Sequence, residues 1–185
     1  IDISMLDCQI AILENAIARY LSKGEIPGPL GSRHPSIAPF EAFKTNDSYI
    51  IIAAGNDKLF ENMCKVLKIN IYENEKFKTN GNRSKNIDEL KKILELKLKD
   101  KSTIDWCRIF QENKIPCGPI NNIKDAVESP QIKQRNMIVS AKHNKIGTFK
   151  MAGNPIKMSP YKDPEVRGEI PDLDQHRKKI LDEFN

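Results

Sequence analysis

Between residues 24 and 39 the chain carries Gly24, Pro27, Gly28, Pro29, Gly31, Pro35 and Pro39. Proline has no amide N–H and fixes φ at about −65°, and glycine has the most backbone entropy to lose, so neither a helix nor a central strand survives that density. A second stretch, 153–172, holds Pro155, Pro160, Pro164 and Pro171 and shows no hydrophobic period. Long irregular segments of this kind either connect domains or carry function. Together they restrict the chain to one order: helix, linker, compact unit, linker, helix.

The flanking and central segments read as follows. Ile3, Leu6, Ile10, Leu13, Ile17 and Tyr20 alternate three and four apart, which draws one helical stripe over 3–21. Ala11, Ala16 and Ala18 widen it, and Gly24 and Pro27 end it. Left in water, such aliphatic side chains forgo roughly 1.5–3 kcal/mol each, so this helix is expected deep in a core. In the centre, Glu41–Lys44 suits a short strand, Asn46-Asp47 a turn, and Tyr49–Ala54 (YIIIAA) a buried strand. Gly55 breaks that strand, and Asn56 caps a helix reaching Lys68. Residues 70–83 are polar and turn-rich; Ile87, Leu90, Leu94 and Leu98 mark another helix. Ser102 and Asp105 form a variant capping box before a helix facing inward through Trp106, Ile109 and Phe110. Pro116-Cys117-Gly118-Pro119 reads as a rigid connection, 123–128 as a short helix, and 137–142 with 147–151 as a hairpin around Asn144. The fold class is α+β, divided into 1–23, a linker at 24–46, a small domain at 47–142, a return linker at 143–172, and a closing helix at 173–185.

Several function classes drop out. The net charge is +5, but acids are interleaved with the basic run from Lys65 to Lys99, the pattern of a solvated helix surface and not of a nucleic-acid site. A thin positive bias does suit a polyanionic cofactor. No apolar run approaches the roughly 20 residues that span a bilayer, so no membrane partner is expected. Ile1 opens into the helical pattern without a basic leader. The four cysteines, Cys8, Cys64, Cys107 and Cys117, have no CxxC spacing, which argues for free thiols in a cytoplasmic protein. His143 and His176 have no companion ligands, so no metal is expected.

Three stretches resemble the family III CoA-transferases, the group of formyl-CoA:oxalate transferase, carnitine CoA-transferase and α-methylacyl-CoA racemase. Asp2-Ile3-Ser4-Met5-Leu6-Asp7 resembles "VDVSMLDA". Gly31-Ser32-Arg33-His34-Pro35-Ser36-Ile37-Ala38-Pro39-Phe40, with Phe43-Lys44-Thr45-Asn46-Asp47-Ser48-Tyr49, is similar to "GNRHPSIAPYGVFRTADGYI". Ile115-Pro116-Cys117-Gly118-Pro119-Ile120 is similar to "VPCGPV". Weaker echoes are Arg135–Val139 and Gly153–Ser159, all in family order.

The resemblance implies a large Rossmann-like domain and a small α+β domain joined by two linkers, with two subunits threaded as interlocked rings. Residues 47–142 then correspond to the small domain, and 1–23 and 173–185 to helices of the large one. The partners expected are acyl-CoA and carboxylate substrates, and a second copy or the missing N-terminal half. The implied activity moves coenzyme A, a substrate here, through an aspartyl-CoA intermediate. The family's nucleophilic Asp sits in an "ADxxAG"-like motif, and residues 1–185 contain none. No catalytic residue is therefore expected in this chain, and the chain alone should be inactive. Arg33, His34, Ser36 and Ile37 are the expected substrate-binding residues, and Met5 is expected to line the coenzyme A site. Asp2 and Asp7 read as structural, and Cys117 as a structural thiol. Where oxalate-using members have a mobile glycine-rich loop, this chain has Arg33–Ile37, so oxalate and formate are disfavoured and Arg33 is the candidate for a distal carboxylate. The alternatives are an acyl-CoA racemase on the same fold and a non-catalytic fragment that binds a partner half.

Overall fold

The computed structural model describes residues 2–184. Ile1 and Asn185, at the outer ends of the expected 1–23 and 173–185 segments, lie outside them. Two compact units divide between Ile120 and Asn121.

The first unit opens with α1 (Met5–Ile12) and α2 (Glu14–Lys23). The single stripe predicted over 3–21 is interrupted at Leu13, and Gly24 closes α2 in the left-handed conformation, φ 68°. Among the described residues none of either helix is buried, in contrast to the expected core position. Leu6, Ile10, Leu13, Tyr20 and Leu21 all remain exposed.

β1 (Phe40–Lys44), β2 (Tyr49–Ala53) and β3 (Cys117–Pro119) then form an antiparallel sheet with β2 in the centre. Phe40 faces Ala53 and Lys44 faces Tyr49 across the hairpin, and Ile52 faces Cys117 on the other side. The YIIIA run sends Ile50 and Ile52 to one face, where both are fully buried with Phe43. The segment read as a rigid connection is therefore an edge strand, and Pro119 is tolerated at its end because an edge needs no donor there.

Helices α3 (Asp57–Val66), α4 (Asn80–Lys85), α5 (Ile87–Leu98) and α6 (Thr103–Glu112) complete the unit. Phe60, Met63, Leu90, Leu94, Leu98, Trp106 and Phe110 meet the sheet's buried face in one core. The caps are those the sequence offers. Asn56 Oδ1 accepts from Leu59 N at 2.8 Å, and Ser102 Oγ accepts from Asp105 N at 3.2 Å. The polar stretch 70–83 contains the start of α4, capped by Thr79.

The second unit contains α7 (Ile123–Glu128), α8 (Pro130–Gln134), β4 (Ile138–His143), β5 (Gly147–Ala152), β6 (Val166–Ile170) and α9 (Arg177–Phe184). β4 pairs antiparallel with β5 in the predicted hairpin and parallel with β6, with a bulge between Ser140 and Lys142. β6 lies inside the stretch read as a linker. Asp163 anchors that stretch by ion pairs with Lys157 and Arg167, and its carbonyl accepts from Asn136 Nδ2 at 2.7 Å. Strand pairing, not linker composition, sets the two units. β1 lies within 24–46 but belongs with β2, and β4 crosses the expected boundary at 142 to join β5 and β6.

Candidate functional site

The stretch 31–40 folds into a closed loop at the start of β1. Gly31 turns into it at φ 63°, a conformation that glycine adopts without a Cβ penalty. His34 N–H donates to Phe40 O at 2.9 Å, and Ser32 Oγ accepts from Ala42 N at 3.0 Å. The His34 ring stacks on Phe40 with centroids 5.2 Å apart and planes 10° from parallel.

His34 Nδ1 accepts two backbone amides, Ser36 N at 3.2 Å and Ile37 N at 3.1 Å. A nitrogen that accepts cannot carry the proton, so the neutral ring holds its proton on Nε2. In that tautomer the half-buried imidazole keeps Nε2 as its hydrogen-bond donor.

The loop is also gripped from outside. Asn80 Oδ1 accepts from Ala38 N at 2.9 Å and Asn80 Nδ2 donates to Ser36 O at 2.8 Å. Arg83, fully buried, donates through Nε to Ala38 O (2.7 Å), through Nη1 to Phe77 O (3.0 Å) and Lys78 O (3.3 Å), and through Nη2 to Gly55 O (2.9 Å) and Asp57 Oδ1 (2.7 Å). Its guanidinium lies 4.5 Å over the Phe60 ring. Ile37 presses against Gly55, where a Cβ would come within 1.9 Å of Ile37 Cγ2. Ile37, Phe40, Ala53, Gly55, Asn56 and Asn80 line a groove of about 560 Å³ beside the loop.

Arg33 and His34 stand side by side, but Arg33 is already paired. It reaches buried Glu41 at 3.2 Å and Asp88 at 2.8 Å. The Asp88 hydrogen bond, first among the causes, raises its pKa further. Glu41 is held from the other side by Lys91 at 2.5 Å, and Lys91 also donates to Ala42 O. Ser36 and Ile37 are exposed at the loop's crest. Met5 lies on α1, 87% exposed. Among the described residues no group of three or more His, Cys, Asp or Glu is placed to hold a metal. Burial pushes the Cys117 thiol up to about 11 and Cys64 to about 12, so neither is a thiolate near neutral pH. Cys117 instead donates to Cys107 O at 3.7 Å.

Sequence reasoning missed Asn80, Arg83, Glu41 and Lys91. The local signal for Asn80 is Thr79, a good N-cap that leaves the next residue's side chain free to turn elsewhere. Nothing local marks Arg83, whose partners lie up to 45 residues away.

The family description "CoA-transferase family III" matches residues 1–177. The chain belongs to that family. Among curated relatives, the human "Succinyl-CoA:glutarate CoA-transferase" is 36% identical over 99% of this chain and 42% of its own length. The Acetobacter aceti "Acetyl-CoA:oxalate CoA-transferase" is 35% identical over 100% of this chain and 46% of its own. A crystal structure of a CAIB/BAIF family protein from Brucella suis superposes with a TM-score of 0.77 at 31% identity, covering 100% of this chain and 48% of that one. The chain therefore spans less than half the length of the relatives it matches. Its mixture of helices and small sheets is the α+β architecture of that part of the family. Among the described residues no helix is long and apolar enough to cross a membrane.

Proposed function

We propose that this chain is the C-terminal part of an enzyme that moves coenzyme A from an acyl-CoA to a carboxylic acid through an aspartyl-CoA intermediate, the nucleophilic Asp lying outside residues 1–185. In that cycle the Asp carboxylate attacks the donor thioester carbonyl, and coenzyme A leaves as the thiolate. The thiolate then attacks the aspartyl carbonyl of the resulting anhydride. This releases the donor acid and leaves an aspartyl-CoA thioester. The acceptor carboxylate attacks that thioester and displaces the thiolate. The thiolate finally attacks the acceptor's acyl carbon, giving the new acyl-CoA and the free Asp. Each addition develops negative charge on a carbonyl oxygen, so a fixed donor is needed and a base is not. The single observation that carries the reading is the His34 imidazole, whose Nδ1 is occupied by Ser36 and Ile37 N–H and whose Nε2 is left as a donor. Ser36 and Ile37 form the crest that meets substrate beside it, and Met5 takes part in the coenzyme A site.

The same loop argues for a dicarboxylate of succinate or glutarate size over oxalate. A small dianion is best held by clustered backbone N–H groups. Here Pro35 has none, and those of Arg33, His34, Ser36, Ile37 and Ala38 are bonded within the fold. The donors left over are side chains, which suit a longer acid. Arg33 can reach its distal carboxylate by exchanging Asp88, which is 81% exposed and so weakly held, while Glu41 keeps the guanidinium in place. The apolar surface of α1 and α2 is covered by the rest of the enzyme or by a second subunit, in a cytoplasmic protein.

The test is CoA transfer from succinyl-CoA to glutarate and to oxalate, by the isolated chain and by the enzyme completed to its relatives' length. Turnover is expected only in the completed enzyme, with the higher kcat/KM for glutarate and a loss of that preference in Arg33→Ala. Robust turnover by the isolated chain would place the nucleophile within it and refute the reading.

A further inference from the structure

The imidazole of His34 is set by two amides, Ser36 and Ile37, that belong to no strand or helix. Pro35 contributes no donor to that run, and within the loop residues 36–38 are bonded only through the His34 ring. Their other hydrogen bonds come from α4. The Asn80 carboxamide grips both sides of the run, Ser36 O and Ala38 N, and Arg83 takes Ala38 O. Asn80 is not needed to start its own helix, because Thr79 Oγ1 accepts from Asn82 N as the cap. The side chain of the first helical residue is turned wholly toward the loop.

We propose that Asn80, backed by Arg83, is a positioning residue for acyl transfer. It fixes residues 36–38, those amides fix the His34 tautomer and ring plane, and the Nε2 donor is thereby aimed before substrate arrives. The proposal rests on the reading that His34 faces substrate. Groups that hold a reacting geometry act on the chemical step more than on ground-state binding, and misplacement by about 1 Å can cost about 100-fold.

The experiment is a double-mutant cycle in the completed enzyme with succinyl-CoA and glutarate: His34→Ala, Asn80→Ala and both. Asn80→Ala is expected to lower kcat about 10- to 100-fold while changing KM for succinyl-CoA by less than about threefold. In the His34→Ala background it should have almost no further effect, because its action passes through that ring. Amide exchange should quicken at Ile37 and Ala38 and stay unchanged in β2. Equal, additive losses in both backgrounds would show that Asn80 only supports the fold, and would overturn the positioning role. So would a kcat within about twofold of the parent alongside faster exchange at Ile37 and Ala38. If His34→Ala leaves kcat and KM unchanged, the reading of His34 fails first, and the role of Asn80 falls with it.

Discussion

Replacing Arg83 with methionine should destabilise the first unit far more than removing the acid it pairs with. The guanidinium serves four backbone carbonyls and one carboxylate. Ala38 and Phe77 are themselves buried, so their carbonyls have no route to water once the donor is gone. Each orphaned buried acceptor costs about 1–3 kcal/mol, or about 2–6 kcal/mol for the two. Gly55 and Lys78 are partly accessible and can recruit water, so they add little. Methionine fills much of the volume and packs on the Phe60 ring, and no longer burying a charge offsets part of the loss. The expected net is about 3 kcal/mol, a large share of a typical domain's roughly 5–15 kcal/mol. Asp57 is 62% exposed, so Asp57→Asn should cost less than about 1 kcal/mol. Urea unfolding followed by Trp106 fluorescence reports on this core directly, since Trp106 is the chain's one tryptophan and is buried beside Phe110. A loss below about 1 kcal/mol for Arg83→Met, or one no larger than that of Asp57→Asn, would show that the carbonyls are satisfied without the guanidinium.

Gly55→Ala should cost about 1–3 kcal/mol through collision with Ile37, and Ile37→Ala in the same chain should restore most of it; no rescue in the urea transition would place the strain elsewhere. Ellman's reagent should titrate one thiol quickly, the exposed Cys8, and four in denaturant, because burial raises the pKa of Cys64, Cys107 and Cys117; more than one fast thiol in the folded chain would contradict that. Lys157 first, then Arg167, hold Asp163 down from the usual 3.8 to about 2. Its ion pairs therefore contribute stability that is complete above about pH 4 and lost as pH falls toward 2, and Asp163→Asn should flatten that part of an acid titration of the second unit.

Much of the first unit is legible because its signals are local. The β-branched run at 49–53 marks a strand, of which Ile50 and Ile52 are the buried face, and Asn56 and Ser102 are capping residues placed directly before apolar helical faces. The relation to family III CoA-transferases is legible for a different reason, since three short motifs occur in the right order along the chain. Long-range contacts leave no such trace. Arg83 sits among Asn and Ser in a stretch whose polarity suggests solvent, yet its partners come from the loop, the end of β2 and the turn before α4. β6 is hidden because Gly168 and the surrounding prolines erase its alternation, and only the free edge of β4 makes a strand of it. In the loop, Arg33 and His34 are adjacent in sequence but take different tasks. One is tied to Glu41 and the other keeps Nε2 as its donor, a distinction set by Glu41 and by the amides of Ser36 and Ile37.

The partners of Arg83 bear on how such a loop can change. Four of its five acceptors are main-chain oxygens, which every amino acid supplies. Side chains at positions 38, 77 and 78 can therefore drift, within the limits of size, without removing an acceptor, whereas position 83 tolerates little. The arrangement separates inheritance of the loop's shape from inheritance of part of its display: Arg83 and Asn80 together hold the backbone through main-chain atoms, which do not depend on the side chain carried at 36 or 38. A lineage keeping the α4 grip can alter an exposed crest side chain such as Ser36 without first rebuilding the scaffold beneath it.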